Sequence, residues 1–367
     1  MHQRFHHIIF ALATVAVLLG GCTDRCILDT DGDEIIFGAP GILEVQNTKA
    51  GLETETKFHA EDIIEVSAWH LNGTGTGEMV LENQKVVCPD PDAVIWDYTL
   101  TPGTTTKRRW NWQDSDYYDF LAVAYKRDAE LKRTIRQSNI RFRKEDDKSL
   151  YISVPYDAED PQYDLLMAGL RRTVPGTANP SSVVELEFKH VLSAVKVVFY
   201  KAEGNPFIPK SYYFTNLVTQ ADIQYGYIDG EGFLLRETSL QRRSGELFKL
   251  EYTTQHLVTE DIRSPYDHDQ TFYLLLPSQD LKPEGIVPQL VVEFEDNGGN
   301  QYEFPVDLKQ VREIDNNGYD TGRYITRWEP GQVYVYKIGI SLNAGVLVKV
   351  ATTPWTVINA QTPGLMI

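Results

Sequence analysis

The chain has 367 residues, with 35 Lys and Arg against 52 Asp and Glu, a formal charge of −17 and a mean hydropathy of −0.32. Such an acidic surface excludes nucleic acid and anionic lipid headgroups as electrostatic partners. The length allows about two domains of 100 to 200 residues, each large enough for a hydrophobic core of its own.

The first predicted element joins a basic start at Arg4, a twelve-residue apolar run from Ile8 to Leu19, then Gly20, Gly21 and Cys22. At 1.5 Å rise per residue the run spans about 18 Å, short of the ~30 Å hydrocarbon core, so residues 1–21 read as a cleaved secretory signal. Leu19-Gly20-Gly21-Cys22 resembles the cleavage box of bacterial lipoproteins, which implies that Cys22 becomes an acylated N-terminus. Several acyl chains, at about 0.8 kcal/mol per buried methylene, anchor stably where one is marginal. An ordinary signal followed by an incidental cysteine is the alternative. Processing leaves 34 basic against 52 acidic side chains, a formal charge of −18.

With Cys22 carrying lipid, Cys26 and Cys88 remain, either paired in an oxidising compartment or as two separate thiols. No CxxC pair is present, which excludes a zinc site of that kind. Asp29-Thr30-Asp31-Gly32-Asp33-Glu34 resembles the start of a calcium loop, but its glycine falls at the fourth position rather than the sixth and no Glu closes it.

Strand signals follow: Ile42–Gln46, Ile63–Leu71, Val94–Leu100, Phe120–Tyr125 and Leu150–Val154 in the first half. In the second half they are Val184–Lys189, Val195–Tyr200, Thr271–Leu276, Leu290–Phe294, Val333–Leu342 and Val346–Ala351. In the first of these Val184, Leu186 and Phe188 alternate with Glu185, Glu187 and Lys189, the period of a half-buried strand. Short strands separated by turn residues predict an all-β protein built of sandwiches rather than a parallel sheet. Gly73 to Gly77 reads as a hairpin loop, because it lacks the Lys-Ser/Thr of a phosphate cradle. Asp128–Glu145 has only a thin apolar stripe, Leu131, Ile135 and Ile140, and reads as a loop or short helix. The breaker-rich stretch 174–182 predicts a division into 51–178 and 179–367, preceded by an N-terminal segment 22–50.

No HExxH or GxSxG motif is present, and no catalytic residue, metal or cofactor is assigned. His190, at a strand end, reads as a hydrogen-bonded structural histidine, and Tyr266-Asp267-His268-Asp269 as a solvated turn. Trp110, Trp112, Tyr117 and Tyr118 lie among amides and an acid, a composition that can form a sugar-stacking platform or pack beneath long loops.

Several segments in order resemble the fimbrillin family, the subunits of type V pili of Gram-negative anaerobes. They are Asp164–Ala168, Leu186–Ser193, Phe272–Pro277, Trp328–Tyr336 and Pro354-Trp355. The resemblance implies two transthyretin-like β-sandwich domains in tandem, no enzymatic activity and export as a lipoprotein to the outer membrane and cell surface or fimbrium. It implies proteolytic trimming after Arg or Lys, and assembly with other pilus subunits by β-strand addition, with host or bacterial surface receptors as further partners. In strand addition, main-chain hydrogen bonds supply affinity and alternate side chains set register. Binding of glycans by a surface lipoprotein is the alternative function.

No arginine stands between Arg25 and Arg108, so Lys49 is the candidate processing site. If cleavage demands arginine, the chain stays lipidated as an anchor or accessory subunit, which leaves shaft, tip and anchor roles open. The alternating strands Val333–Leu342 and Val346–Ala351 suit either strand donation or ordinary pairing in the second sandwich.

Overall fold

The computed structural model describes residues 34–42, 58, 63–71, 77–87, 93–98, 108–111, 116–125, 141–146, 149–159, 164–173, 183–201, 207–228, 230–251, 274–315, 317–341 and 345–354. Among these the architecture is all-β, with 25 strands, one 3-10 turn at Leu308–Gln310 and no α-helix. Numbered in chain order, the strands form six sheets.

A three-stranded sheet has the order β10 (Val183–Val184), β1 (Ile36–Gly38), β5 (Ile95–Trp96). Beside it lies a six-stranded sheet in the order β2 (Gly41–Ile42), β11 (Glu187–His190), β9 (Leu165–Thr173), β6 (Tyr117–Tyr125), β3 (Ile63–Leu71), β4 (Gly77–Val87). A four-stranded sheet runs β15 (Gly232–Arg243), β14 (Leu217–Ile228), β8 (Ser149–Asp157), β7 (Arg141–Asp146). The second six-stranded sheet runs β17 (Leu274–Leu276), β12 (Ser193–Lys201), β24 (Gln332–Ser341), β25 (Gly345–Pro354), β21 (Arg312–Ile314), β22 (Asp320–Tyr324). It shares a core with the sheet β16 (Leu247–Glu251), β13 (Ile208–Thr215), β19 (Gln289–Glu295), β20 (Gln301–Asp307), and β18 (Gln279–Asp280) pairs with β23 (Arg327–Trp328).

The central strands β3 and β6 of the first six-stranded sheet are buried on both faces. Ile64, Val66 and Ala68 of β3, with Phe120, Ala122 and Ala124 of β6, pack against Phe37, Trp96, Tyr98 and Phe188 in one core. The alternate residues Trp69, Leu71, Leu121 and Val123 face the other way, into a core shared with Ile152, Val154, Ile223 and Tyr225. That second core continues to Phe199, Phe214, Trp328 and Tyr336, where the Trp328 Nε1–H donates to the Tyr336 hydroxyl at 3.0 Å. Double burial accounts for the unbroken apolar run in β6, since period-two alternation is lost when neither face meets water.

Two features tie β9 to the β14–β15 hairpin. A Cβ on Gly169 would fall 2.2 Å from Cδ1 of Phe233, so only glycine lets that ring lie on the sheet. Arg171 donates to both Asp119 carboxylate oxygens, at 2.6 and 2.5 Å, and sits between the rings of Tyr117 and Tyr227, 4.2 and 3.4 Å from their centroids. Burial pushes the Asp119 carboxyl up, and the Arg171 guanidinium opposes that rise.

Several expectations need correction. Arg141–Asp146, expected within a loop or short helix, is strand β7, because pairing with β8 satisfies its backbone. Val94–Leu100 contracts to the two residues of β5, with Asp97 bridged to Val87. The run Val184–Lys189 is broken into β10 and β11 at Glu185-Leu186, and both pieces join sheets of the first half. Strand β8 pairs with β14, so elements from either side of 174–182 share hydrogen-bonded sheets. Val333–Leu342 and Val346–Ala351 correspond to β24 and β25, an antiparallel pair flanked by β12 and β21, and neither is a free edge.

Candidate functional site

The segment Glu34–Ile42 enters the first core as an inserted pair of short strands. Ile35, Ile36 and Phe37 are 0%, 4% and 2% exposed, an apolar triplet closed by Gly38, Pro40 and Gly41. Strand β1 is the middle strand of its sheet, parallel to β10 and antiparallel to β5. The Ile35 amide donates to the Arg108 carbonyl at 2.8 Å, and the Ala39 amide donates to the Val94 carbonyl at 2.8 Å. The Tyr98 hydroxyl donates to the Ile35 carbonyl at 3.2 Å while accepting from the Arg108 amide at 2.6 Å, so one phenol clasps both chains. Burial pushes this phenol up to about 12, Glu34 and Asp97 add to the rise, and the Arg108 amide opposes it.

The Phe37 ring meets Tyr98 and Phe120 edge-on, with centroids 5.8 and 6.2 Å away. At Gly38 a Cβ would stand 3.1 Å from Val183 Cγ1, a tight contact that Val183 would have to yield to by a few tenths of an ångström. Beyond the buried Pro40, β2 runs parallel to β11 at the edge of the six-stranded sheet, with Gly41 opposite Glu187 and Ile42 opposite Phe188. The whole inserted pair precedes Lys49 in the chain.

Burying three large apolar side chains at about 1.5–3 kcal/mol each contributes about 5–9 kcal/mol. Holding a detached segment costs an estimated 4–15 kcal/mol in translational and rotational freedom. The two figures are of similar size, so the segment's covalent attachment to the rest of the chain weighs in its retention. A cut converts the segment into a marginal ligand of its own cradle.

Cys22, Cys26, Lys49, Cys88 and Trp112 lie outside the described residues, as do Asp29–Asp33 and Tyr266–Asp269. Trp110 and Tyr118 are 8% and 1% exposed, with ring centroids 4.8 Å apart. Trp110 also meets Phe120 edge-on, with centroids 5.8 Å apart, and His70 stacks on Tyr118 at 4.6 Å. The Asn111 amide donates to the Tyr118 hydroxyl at 2.7 Å. Tyr117 is half-buried beneath Arg171. Trp110 and Tyr118 are therefore packed beneath the surface, while Tyr117 stays half-buried. His190 holds a structural place, with Nδ1 3.0 Å from Oδ1 of Asp164.

Sequence reasoning missed β1; of the strand expected at Ile42–Gln46, Ile42 lies in β2 and 43–46 fall outside the described residues. The available signal was the apolar triplet before Gly38, too short to register as a strand by periodicity. It also missed Glu65, 0% exposed, whose two carboxylate oxygens find no hydrogen bond. Burial pushes that carboxyl up, with Lys85 opposing.

No curated protein matches the chain. Solved structures that resemble it include candidate cell adhesion proteins from Bacteroides uniformis (17% identity, 89% of this chain and 100% of that one, TM-score 0.46) and Bacteroides ovatus (15%, 89% and 99%, 0.49). A fimbrilin from Porphyromonas gingivalis shares 11% identity over 89% of this chain and 99% of its own, with a TM-score of 0.44. The family model described as fimbrillin-like matches residues 48–355, from the residue before Lys49 to the residue after β25. On that match, which covers most of its length, the chain belongs to the fimbrillin-like family.

Proposed function

We propose that this chain is a fimbrial subunit exported as a lipoprotein through Cys22, trimmed after Lys49 and assembled by β-strand exchange into surface fimbriae for adhesion. Family membership points to a structural rather than enzymatic role at the cell surface, in assembly with other pilus subunits. The observation that carries the finer reading is the segment of β1 and β2, whose Ile35, Ile36 and Phe37 are buried in the core, yet which lies wholly upstream of Lys49 and of the family match. Release of 22–49 would leave β10 and β5 without the strand between them and empty the socket that Phe37 fills between Tyr98 and Phe120. A strand from a neighbouring subunit then restores the lost hydrogen bonds and the buried apolar surface.

On this reading the chain consists of two sandwich domains in tandem after residue 50. Before trimming, acylated Cys22 holds the chain in the outer membrane. Surface receptors are partners of the assembled fimbria, and nucleic acid is disfavoured by the formal charge of −17. The absence of arginine from 26 to 107 favours a second reading, in which the chain stays lipidated and anchors other subunits. Replacing Lys49 separates the two. Lys49→Gln is expected to leave the protein monomeric and membrane-bound, whereas unchanged incorporation into sheared fimbriae would refute trimming at that residue.

A further inference from the structure

We propose that the outward face of the sheet β15-β14-β8-β7 binds a carboxylated glycan, with Arg236, Gln224 and Ser153 as its central contacts. The site uses none of the residues of strand exchange, so the two readings stand or fall separately.

On this sheet Ile152, Val154, Ile223 and Tyr225 turn into the core, with Phe233 and Leu235 packed against it. Their alternates form the other face, and the register sets them in three rows across β8, β14 and β15. Ser153, Gln224 and Arg236 stand opposite one another in the middle row. Pro155, Asp222 and Thr238 make the row on one side of it, and Tyr151, Gly226 and Leu234 the row on the other. The backbone of β7 extends two of these rows, with Arg141 opposite Ser153 and Arg143 opposite Tyr151.

Among the described residues, the side chains of Tyr151, Ser153, Asp222, Gln224, Arg236 and Thr238 make no hydrogen bond or ion pair. Polar side chains elsewhere on the same strands are engaged. Gln220 donates to Asp157 at 2.6 Å, Glu237 accepts from the Ser278 amide at 2.7 Å, and Arg243 donates to Glu159 at 2.6 Å. Ser153 is 4% exposed, and Asp222 and Gln224 are half-buried, so these groups are partly withdrawn from water with no protein partner in exchange. A hydroxylated ligand lying on the face supplies that partner.

The flanking strands β7 and β15 carry six basic residues against three acidic, in a chain that has 35 against 52. That local excess suits an anion. The formal charge of −17 opposes one at long range, but screening over about 8 Å at physiological salt leaves contact to the local groups. Arg236 is exposed, and its planar fork matches a carboxylate. Gln224, Ser153 and Thr238 offer an amide and two hydroxyls to sugar hydroxyls. Tyr151 and Leu234 flank Gly226, which has no side chain, and give an apolar sugar face a place to rest. Four strands at about 4.8 Å spacing span about 14 Å, room for an oligosaccharide. Asp222, the one acid in the three rows, disfavours a dense polyanion and so selects carboxylates separated by neutral rings. A peptide strand would instead add to a sheet edge through its main chain.

The test is isothermal titration of the full chain with a hyaluronan octasaccharide, in which a carboxylate recurs on every second ring. Saturable binding is expected, weaker by about tenfold or more for Arg236→Ala and for Gln224→Ala. Arg243→Ala, which removes a cation paired with Glu159, is expected to bind as the parent does. Arg236→Lys keeps the charge, loses the fork and is expected to fall between parent and alanine variant. Urea midpoints equal to the parent's are expected for all four variants, which ties any loss to the face itself. Absence of binding at millimolar octasaccharide, binding indifferent to both Arg236→Ala and Gln224→Ala, or equal binding of a neutral dextran octamer would overturn the inference. Preference for a heparin octasaccharide or for a polyglutamate peptide would overturn it in favour of a dense polyanion or an acidic peptide. Arg236→Ala chains are expected to assemble into fimbriae normally, and loss of assembly would overturn the independence of this site from strand exchange.

Discussion

Phe37→Ala probes the inserted strand most sharply. The ring is 2% exposed and meets Tyr98 and Phe120 edge-on at 5.8 and 6.2 Å. Phe120 is also held by Trp110 at 5.8 Å, and Tyr98 by its hydrogen bonds to Ile35 and Arg108, so the walls of the cavity cannot collapse freely. Truncating a buried Phe to Ala costs about 3–5 kcal/mol where the site relaxes little. In the uncut chain that loss reads out as a lower urea midpoint at unchanged slope, followed by tryptophan fluorescence. After cleavage at an engineered site over 47–51 the same loss bears on retention of the severed segment. About 3 kcal/mol is more than a hundredfold in dissociation constant, at tenfold per 1.4 kcal/mol. The cut variant is expected to shed the segment on gel filtration under conditions in which the cut parent retains it. A stability change under about 1 kcal/mol, with retention unaltered, would mean that Phe37 does not hold the strand, and the argument from burial would fail.

Glu65 is pushed up by burial, so the folded state holds its proton above the ordinary carboxylate range and stability falls as pH rises from about 4.3 through the raised value. Glu65→Gln is expected to flatten that decline and to gain most at neutral pH; urea midpoints at pH 4 and 7 that fall equally in both proteins would contradict it. Gly169→Ala forces a methyl into the Phe233 ring and is expected to cost about 1–3 kcal/mol. Phe233→Leu in the same chain should recover part of that loss, and strict additivity would refute the contact. Arg171→Met leaves Asp119 buried without its cation and is expected to cost about 3–5 kcal/mol. The double change Arg171→Met, Asp119→Leu should be much milder, as a denaturant series on all three proteins would show. Cys22→Ser is expected to shift the protein from the membrane fraction to the soluble one, and unchanged partitioning would remove the lipid anchor from the account.

Two second-half strands were legible in detail, since β19 and β24 fall within a residue of their predicted bounds, whereas β13 to β16 and β20 to β22 were not anticipated. Ile63–Leu71 is β3 as read. What alternation could not reveal was that β3 has cover on both faces. Glu65, Ser67 and Trp69, which alternate with Ile64, Val66 and Ala68, are 0%, 0% and 7% exposed. The aromatic cluster stayed open between two readings for a related reason. Tyr118 and Trp110 sit among polar neighbours in sequence, yet the sheet turns their rings toward Phe120. Strand β1 escaped because its three residues are specified by long-range partners, Trp96 and Val183-Val184, that no local window contains. The pairing of β8 with β14 is equally non-local, and it links residues that a linker-based division had assigned to different halves.

The central claim is that the β1–β2 segment is given up on assembly, and the N-terminus of the native protein tests it directly. Mass spectrometry of protein in sheared fimbriae, beside protein left in the membrane, would identify that terminus in each pool. The account predicts fimbrial chains that begin at Ala50 and lack every peptide covering 34–42, with acylated Cys22 confined to the membrane pool. Fimbrial chains that retain Glu34–Ile42 would contradict it.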